Sequence, residues 1–139
     1  MTLRSLTLLA LLAAPAVAAG DTQRWTGDGF VVTAITAEQP VAGAPVDVRL
    51  ELTPSGGYKV NEEYPIAVEI VAPADVAAAK TKLGKADASV RHERAAFQLT
   101  LTPRTAGAKV VALKLRFALC TDATCEPRKH AVDLKLDVK

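Results

Sequence analysis

Cys120 and Cys125 are the only cysteines in the 139-residue chain, separated by Thr121, Asp122, Ala123 and Thr124. Two thiols so close can form a fixed bond, cycle between dithiol and disulfide, or bind a soft metal ion. His130 recurs at the same five-residue interval, and two thiolates with an imidazole suit zinc or copper. Three features weigh against a metal: the spacing is unlike usual zinc spacings, His130 has the opposite strand parity to the cysteines, and Met1 is the sole methionine. No metal and no cofactor is therefore expected. His92 lies in a charged, irregular stretch and reads as a surface residue. Neither histidine stands near a nucleophile motif, and no phosphate-binding loop is present.

The N-terminus decides which thiol chemistry is available. Arg4 precedes an apolar run from Leu6 to Ala19, interrupted by Thr7, and Ala16-Val17-Ala18 fits a small-x-small cleavage site. This is the layout of a secretory signal peptide, assigned to residues 1–19. The run is too short and too rich in alanine for a spanning helix, which needs about 20 apolar residues. The expectation is one exported domain over residues 20–139, periplasmic or secreted and not embedded in a membrane. Disulfides form and persist there, so Cys120 and Cys125 are expected to be bonded to each other.

The formal charge is +2, with 17 basic and 15 acidic residues interspersed. No nucleic-acid or anionic-membrane partner is indicated. The densest basic stretch, Lys80, Lys82, Lys85, Arg91 and Arg94, has no interleaved aromatics and reads as a solvated face.

Alternation of period two dominates the chain. It marks strands over Phe30–Ile35, Val46–Thr53, Ile66–Ile70, Phe97–Thr102, Val111–Leu119 and Val132–Val138, with Pro or Gly at nearly every break. The segment Ala74–Ala88, rich in Ala and Lys, is expected to form one or two helical turns between Pro73 and Gly84. Six or seven short strands without a long helix read as an all-β fold, an immunoglobulin-like antiparallel β-sandwich, with a small barrel as the alternative.

The last two strands set the register at the cysteines. Pairing Cys120 with Cys125 across a four-residue loop places Leu115 opposite His130, Leu113 opposite Val132 and Val111 opposite Leu134. Each pair is inward by its own strand's alternation, as opposed residues must be. The same parity puts both cysteines on the outer face with Lys114, Arg116 and Lys129, subject to a bulge at Pro127. The bond closes a loop of about six residues, for which chain entropy gives only about 2 kcal/mol. Spacing alone leaves a hairpin clamp and a redox centre both open. Asp122 and Glu126, the nearest charges in sequence, disfavour a thiolate.

The stretch Leu115-Arg116-Phe117-Ala118-Leu119-Cys120-Thr121-Asp122-Ala123-Thr124-Cys125-Glu126-Pro127 resembles the N-terminal periplasmic (alpha) domain of the thiol:disulfide interchange protein DsbD and its stand-alone relatives. That family has a strand ending in Cys, a short Asp-containing loop, a second Cys, then Pro. Gly57-Tyr58-Lys59-Val60-Asn61-Glu62-Glu63-Tyr64-Pro65 is similar to a second stretch of those relatives, with Lys59 where His is common. The resemblance implies an immunoglobulin-like sandwich whose Cys120 and Cys125 cycle between dithiol and disulfide. It also implies a thioredoxin-like or membrane thiol-transporting partner. Tyr58 and Tyr64 become candidates for a cap over the disulfide or for its docking surface. The chain departs from the long members in its shorter loop and in ending without their membrane and thioredoxin-like domains. The expected function is a thiol–disulfide relay. The alternative is a non-catalytic immunoglobulin-like binding or structural domain with a clamping disulfide.

Overall fold

The computed structural model describes Ala13 and residues 19–139. The expected signal segment 1–19 thus lies outside the described residues, apart from Ala13 and Ala19. Eleven strands follow in order: β1 (Ala19–Gly27), β2 (Phe30–Glu38), β3 (Val46–Pro54), β4 (Lys59–Val60), β5 (Ala67–Val71), β6 (Val76–Ala78), β7 (Lys82–Leu83), β8 (Ala88–Arg91), β9 (Arg94–Pro103), β10 (Gly107–Cys120) and β11 (Cys125–Val138). Among the described residues the only helical element is a 3₁₀ turn at Lys85–Asp87. None of their helices is long and apolar enough to cross a membrane.

The strands form two antiparallel sheets. One has the order β1-β2-β3-β9-β6, with β8 also on β9; the other has β11-β10-β5-β7, with β4 also on β10. They pack face to face because each strand buries alternate residues. Val32, Leu50, Leu99 and Leu101 from the first sheet share one core with Val68, Leu113, Phe117 and Leu134 from the second. The rings of Phe30 and Phe117 meet edge to face across the sandwich at 4.9 Å. The expected immunoglobulin-like sandwich is the observed architecture.

The strand expectations omitted β1, β4, β6, β7 and β8. β1 precedes the first expected strand, and its polar sequence DTQRWT hid it. Ala74–Ala88 is extended rather than helical, apart from the single 3₁₀ turn. Val76 and Leu83 are buried, β6 pairs with β9, and β7 pairs with β5. A helix of one or two turns has nothing to offset its nucleation cost, so pairing and burial override the Ala and Lys propensity.

Side chains close the margins where the sheets meet. The Gln23 amide on β1 donates to the Lys135 carbonyl at 2.7 Å and accepts from the Lys135 N–H at 2.9 Å. It thus acts as one rung of a ladder along the open edge of β11, which would otherwise present unpaired backbone groups. Asp75 accepts hydrogen bonds from Lys109 and from Thr105 Oγ1. Asp87 accepts from the Gly84 N–H at 2.9 Å and from Lys80 at 2.6 Å.

These bonds hold both carboxyls below the ordinary aspartate range, chiefly through Lys109 for Asp75 and the Gly84 N–H for Asp87. The sign follows from linkage: a depressed native pKa stabilises the fold above the unfolded value, near pH 4, and that contribution disappears as pH falls through the native value. The urea midpoint should decline on acidification below about pH 4. Asp75→Asn/Asp87→Asn should flatten that decline. An unchanged slope in the double variant would remove these two carboxylates as its source.

Candidate functional site

β10 and β11 pair without interruption from Gly107 opposite Val138 to Cys120 opposite Cys125. The register read from alternation is the observed one, with Leu115 opposite His130 and Leu113 opposite Val132. Pro127 causes no bulge and sits directly opposite Ala118. β11 is an edge strand, and the position of Pro127 directs the missing N–H outward, away from β10, so no ladder bond is lost.

Cys120 and Cys125 are disulfide-bonded, with Cα atoms 4.0 Å apart, and no cysteine is free. Cys120 is half-buried and Cys125 exposed. The loop has its own closure. The Thr121 N–H donates to the Thr124 carbonyl at 2.8 Å. Thr121 Oγ1 accepts from the N–H groups of Ala123 at 3.3 Å and Thr124 at 3.2 Å. Fourteen-residue strands and this hydroxyl hold the hairpin shut around the bond.

The second motif segment lies against the same end of β10. β4 pairs with it so that Val60 faces Leu119 and Lys59 faces Cys120. Opposed residues share a sheet face, with Cβ atoms about 5 Å apart. Lys59 is therefore the cationic neighbour of Cys120, and a nearby cation favours a thiolate. Sequence reading missed this and weighed only Asp122 and Glu126. Glu126 instead has inward parity and pairs with Arg128 at 2.8 Å. That carboxylate raises the Arg128 pKa above its usual value.

Asn61 explains the geometry after β4. Its N–H donates to the Ala118 carbonyl at 2.9 Å, and its Oδ1 accepts from the N–H groups of Glu63 at 2.9 Å and Tyr64 at 3.2 Å. The chain thereby bulges out and returns to β10 as β5, where Ala67 faces Arg116. Ala118, an outer-face position, is buried where this bulge leaves the sheet.

The two tyrosines have different surroundings. Tyr58 packs against the core beneath Arg128, whose guanidinium lies 5.4 Å from the ring centroid. Arg128 also donates to the Asp28 carbonyl at 2.6 Å. Gly29 (φ +83°) lies so close that a Cβ there would stand 2.5 Å from the Tyr58 ring. Only glycine combines that left-handed backbone with that approach. Tyr58 thus closes the inner side of the hairpin end, on the face opposite the disulfide. Tyr64 is half-buried within the Asn61 bulge, its N–H donating to Asn61 Oδ1.

The histidines stand apart from the cysteines. The His130 ring meets Phe30 edge to face at 4.9 Å, and its Nε2 is buried without a hydrogen-bond partner. His92 places Nδ1 3.2 Å from the Val60 carbonyl and Nε2 3.5 Å from Glu62.

No family model and no curated protein matches the chain. Among solved structures, it is similar to AggA, the major subunit of aggregative adherence fimbriae type I from Escherichia coli. The two are 13% identical with a TM-score of 0.42, over 84% of this chain and 99% of that one.

Proposed function

We propose that this chain is an exported thiol–disulfide exchange domain, of the kind found at the N-terminus of DsbD and among its stand-alone relatives. The observation that carries the reading is the placement of the Cys120–Cys125 bond. It lies on the outer face, outside the core, at the tip of a hairpin already closed by its ladder and by Thr121. A clamp adds little there, whereas a partner's thiol has access. Exposed disulfides are the labile, regulatory or catalytic ones.

The exchange runs in two balanced steps. A partner thiolate attacks Cys125 Sγ, the exposed sulfur. The Cys120–Cys125 bond breaks, a mixed disulfide forms at Cys125, and Cys120 departs as a thiolate beside Lys59 before taking a proton from water. The partner's second thiolate then attacks its own sulfur in the mixed disulfide and releases Cys125 as a thiolate, which likewise takes a proton from water. The partner dithiol ends oxidised to a disulfide, and Cys120 and Cys125 end as the dithiol. The reverse sequence passes the electrons on. A thioredoxin-like or membrane thiol-transporting protein supplies such a dithiol.

Equilibration in glutathione or dithiothreitol buffers, with alkylation to count the dithiol form, tests the proposal. The expected potential lies above about −300 mV, the range below which structural disulfides sit. A value well below that, with no exchange with thioredoxin-like proteins, would favour an immunoglobulin-like binding or structural domain clamped at one hairpin.

A further inference from the structure

We infer that the outer face of the β7-β5-β10-β11 sheet is the docking surface through which the exchange partner's acidic protein face is held beside the disulfide. The identity of the occupant as that partner rests on the exchange reading; the charge pattern does not.

Two adjacent rows of side chains make the surface. In the first, Lys82, Glu69, Lys114 and Ala131 follow one another across β7, β5, β10 and β11; in the second, Ala67, Arg116 and Lys129 cross β5, β10 and β11. Together they line an open groove of about 500 Å³. Four cations thus surround one carboxylate on a floor of alanines. Among the described residues none of the four has a carboxylate within 4.0 Å. The other sheet contrasts with this: on its outer face Arg49 and Arg94 both pair with Glu51, at 2.5 and 3.8 Å.

Like charges directly opposite each other in a sheet are destabilising. Arg116 and Lys129 are such a pair, with no internal counter-charge. That arrangement costs the isolated domain stability and is relieved by an external anion. The site is broad and open, so it suits a protein face rather than an enclosed small molecule. Glu69 stands between Lys82 and Lys114 and would repel a uniform polyanion, while an acidic protein face can place a cation or a polar group there. Complementary potentials chiefly raise association rates and select partners.

Position links the surface to the chemistry. Arg116 and Lys129 share the outer face with Cys120 and Cys125, four residues further along each strand, or roughly 13 Å at 3.3 Å per residue. A standard interface covers about 800 Å² on each partner, enough to span both.

The test uses two synthetic dithiol peptides, identical except that glutamates flank the cysteines in one and glutamines in the other. Serine versions of both report binding without exchange. At low ionic strength the glutamate dithiol should reduce the native disulfide at least about tenfold faster than the glutamine dithiol. That ratio should approach one in Lys114→Gln/Arg116→Gln/Lys129→Gln, checked for native circular dichroism, and in high salt. The serine glutamate peptide should bind the native protein at least about tenfold more tightly than it binds the variant. A native rate ratio near one, with no charge-dependent binding, overturns the docking surface and leaves exchange standing. Charge-dependent binding without exchange by either dithiol retains the acidic docking surface and overturns the exchange reading instead. Heparin or a DNA oligomer binding the native face as tightly as the glutamate peptide overturns the assignment to a protein in favour of a general polyanion site.

Discussion

Phe117→Ala is expected to lower the free energy of unfolding by about 3–5 kcal/mol, the range for truncating a buried aromatic in a packed core. Phe117 is fully buried on β10, the strand that pairs with β11, β5 and β4. Its ring meets Phe30 from the opposite sheet at 4.9 Å, and Phe30 in turn packs against His130. Truncation opens a cavity between the sheets and removes an aromatic pair together. Urea unfolding of the variant measures the loss. A value below about 2 kcal/mol would mean that the surrounding side chains collapse into the space. Cys120→Ala/Cys125→Ala provides the contrast. It should fold and lose only about 2 kcal/mol, because the loop it opens is short. A double variant that cannot fold would make the bond a structural staple and would remove the main support for exchange.

The single-cysteine variants should differ in kind. Cys120→Ala leaves the exposed Cys125, which should displace thionitrobenzoate from a thioredoxin-like partner that keeps only its attacking cysteine, activated as the thionitrobenzoate mixed disulfide. The resulting protein–protein disulfide persists, since neither protein retains a second thiol to displace it. Cys125→Ala leaves the half-buried Cys120, beside β4 and the Asn61 bulge, and should trap the partner at least about tenfold more slowly, since access limits thiol–disulfide exchange. Non-reducing electrophoresis after mixing with that activated single-cysteine partner gives both rates. Faster trapping by Cys120 would reverse the roles: Cys120 would take the attack and Cys125 would leave. Equal and negligible trapping by both would return the hairpin bond to a clamp.

The sheet architecture and the facing of the cysteines were legible in the chain itself. Side chains in a strand alternate with period two, so two strands that each alternate can pair in only one parity. Val111, Leu113 and Leu115 on one side, with His130, Val132 and Leu134 on the other, therefore determined that Cys120 and Cys125 share the outer face with Lys114, Arg116 and Lys129. Local pattern failed where long-range contact decides the conformation. β1 is a polar strand whose place depends on pairing with β2 and on the Gln23 rung to Lys135. Ala74–Ala88 has helical composition, yet β5 and β9 draw it into strands. The sequential basic run does not form one face: Lys80 pairs with Asp87 and Arg94 with Glu51, while Lys82 joins Lys114, Arg116 and Lys129 through β7. Nor does sequence spacing reveal that Lys59 faces Cys120 while Tyr58 turns inward. That depends on two residues of β4 docking on β10, a contact between segments far apart in the chain that no local periodicity encodes.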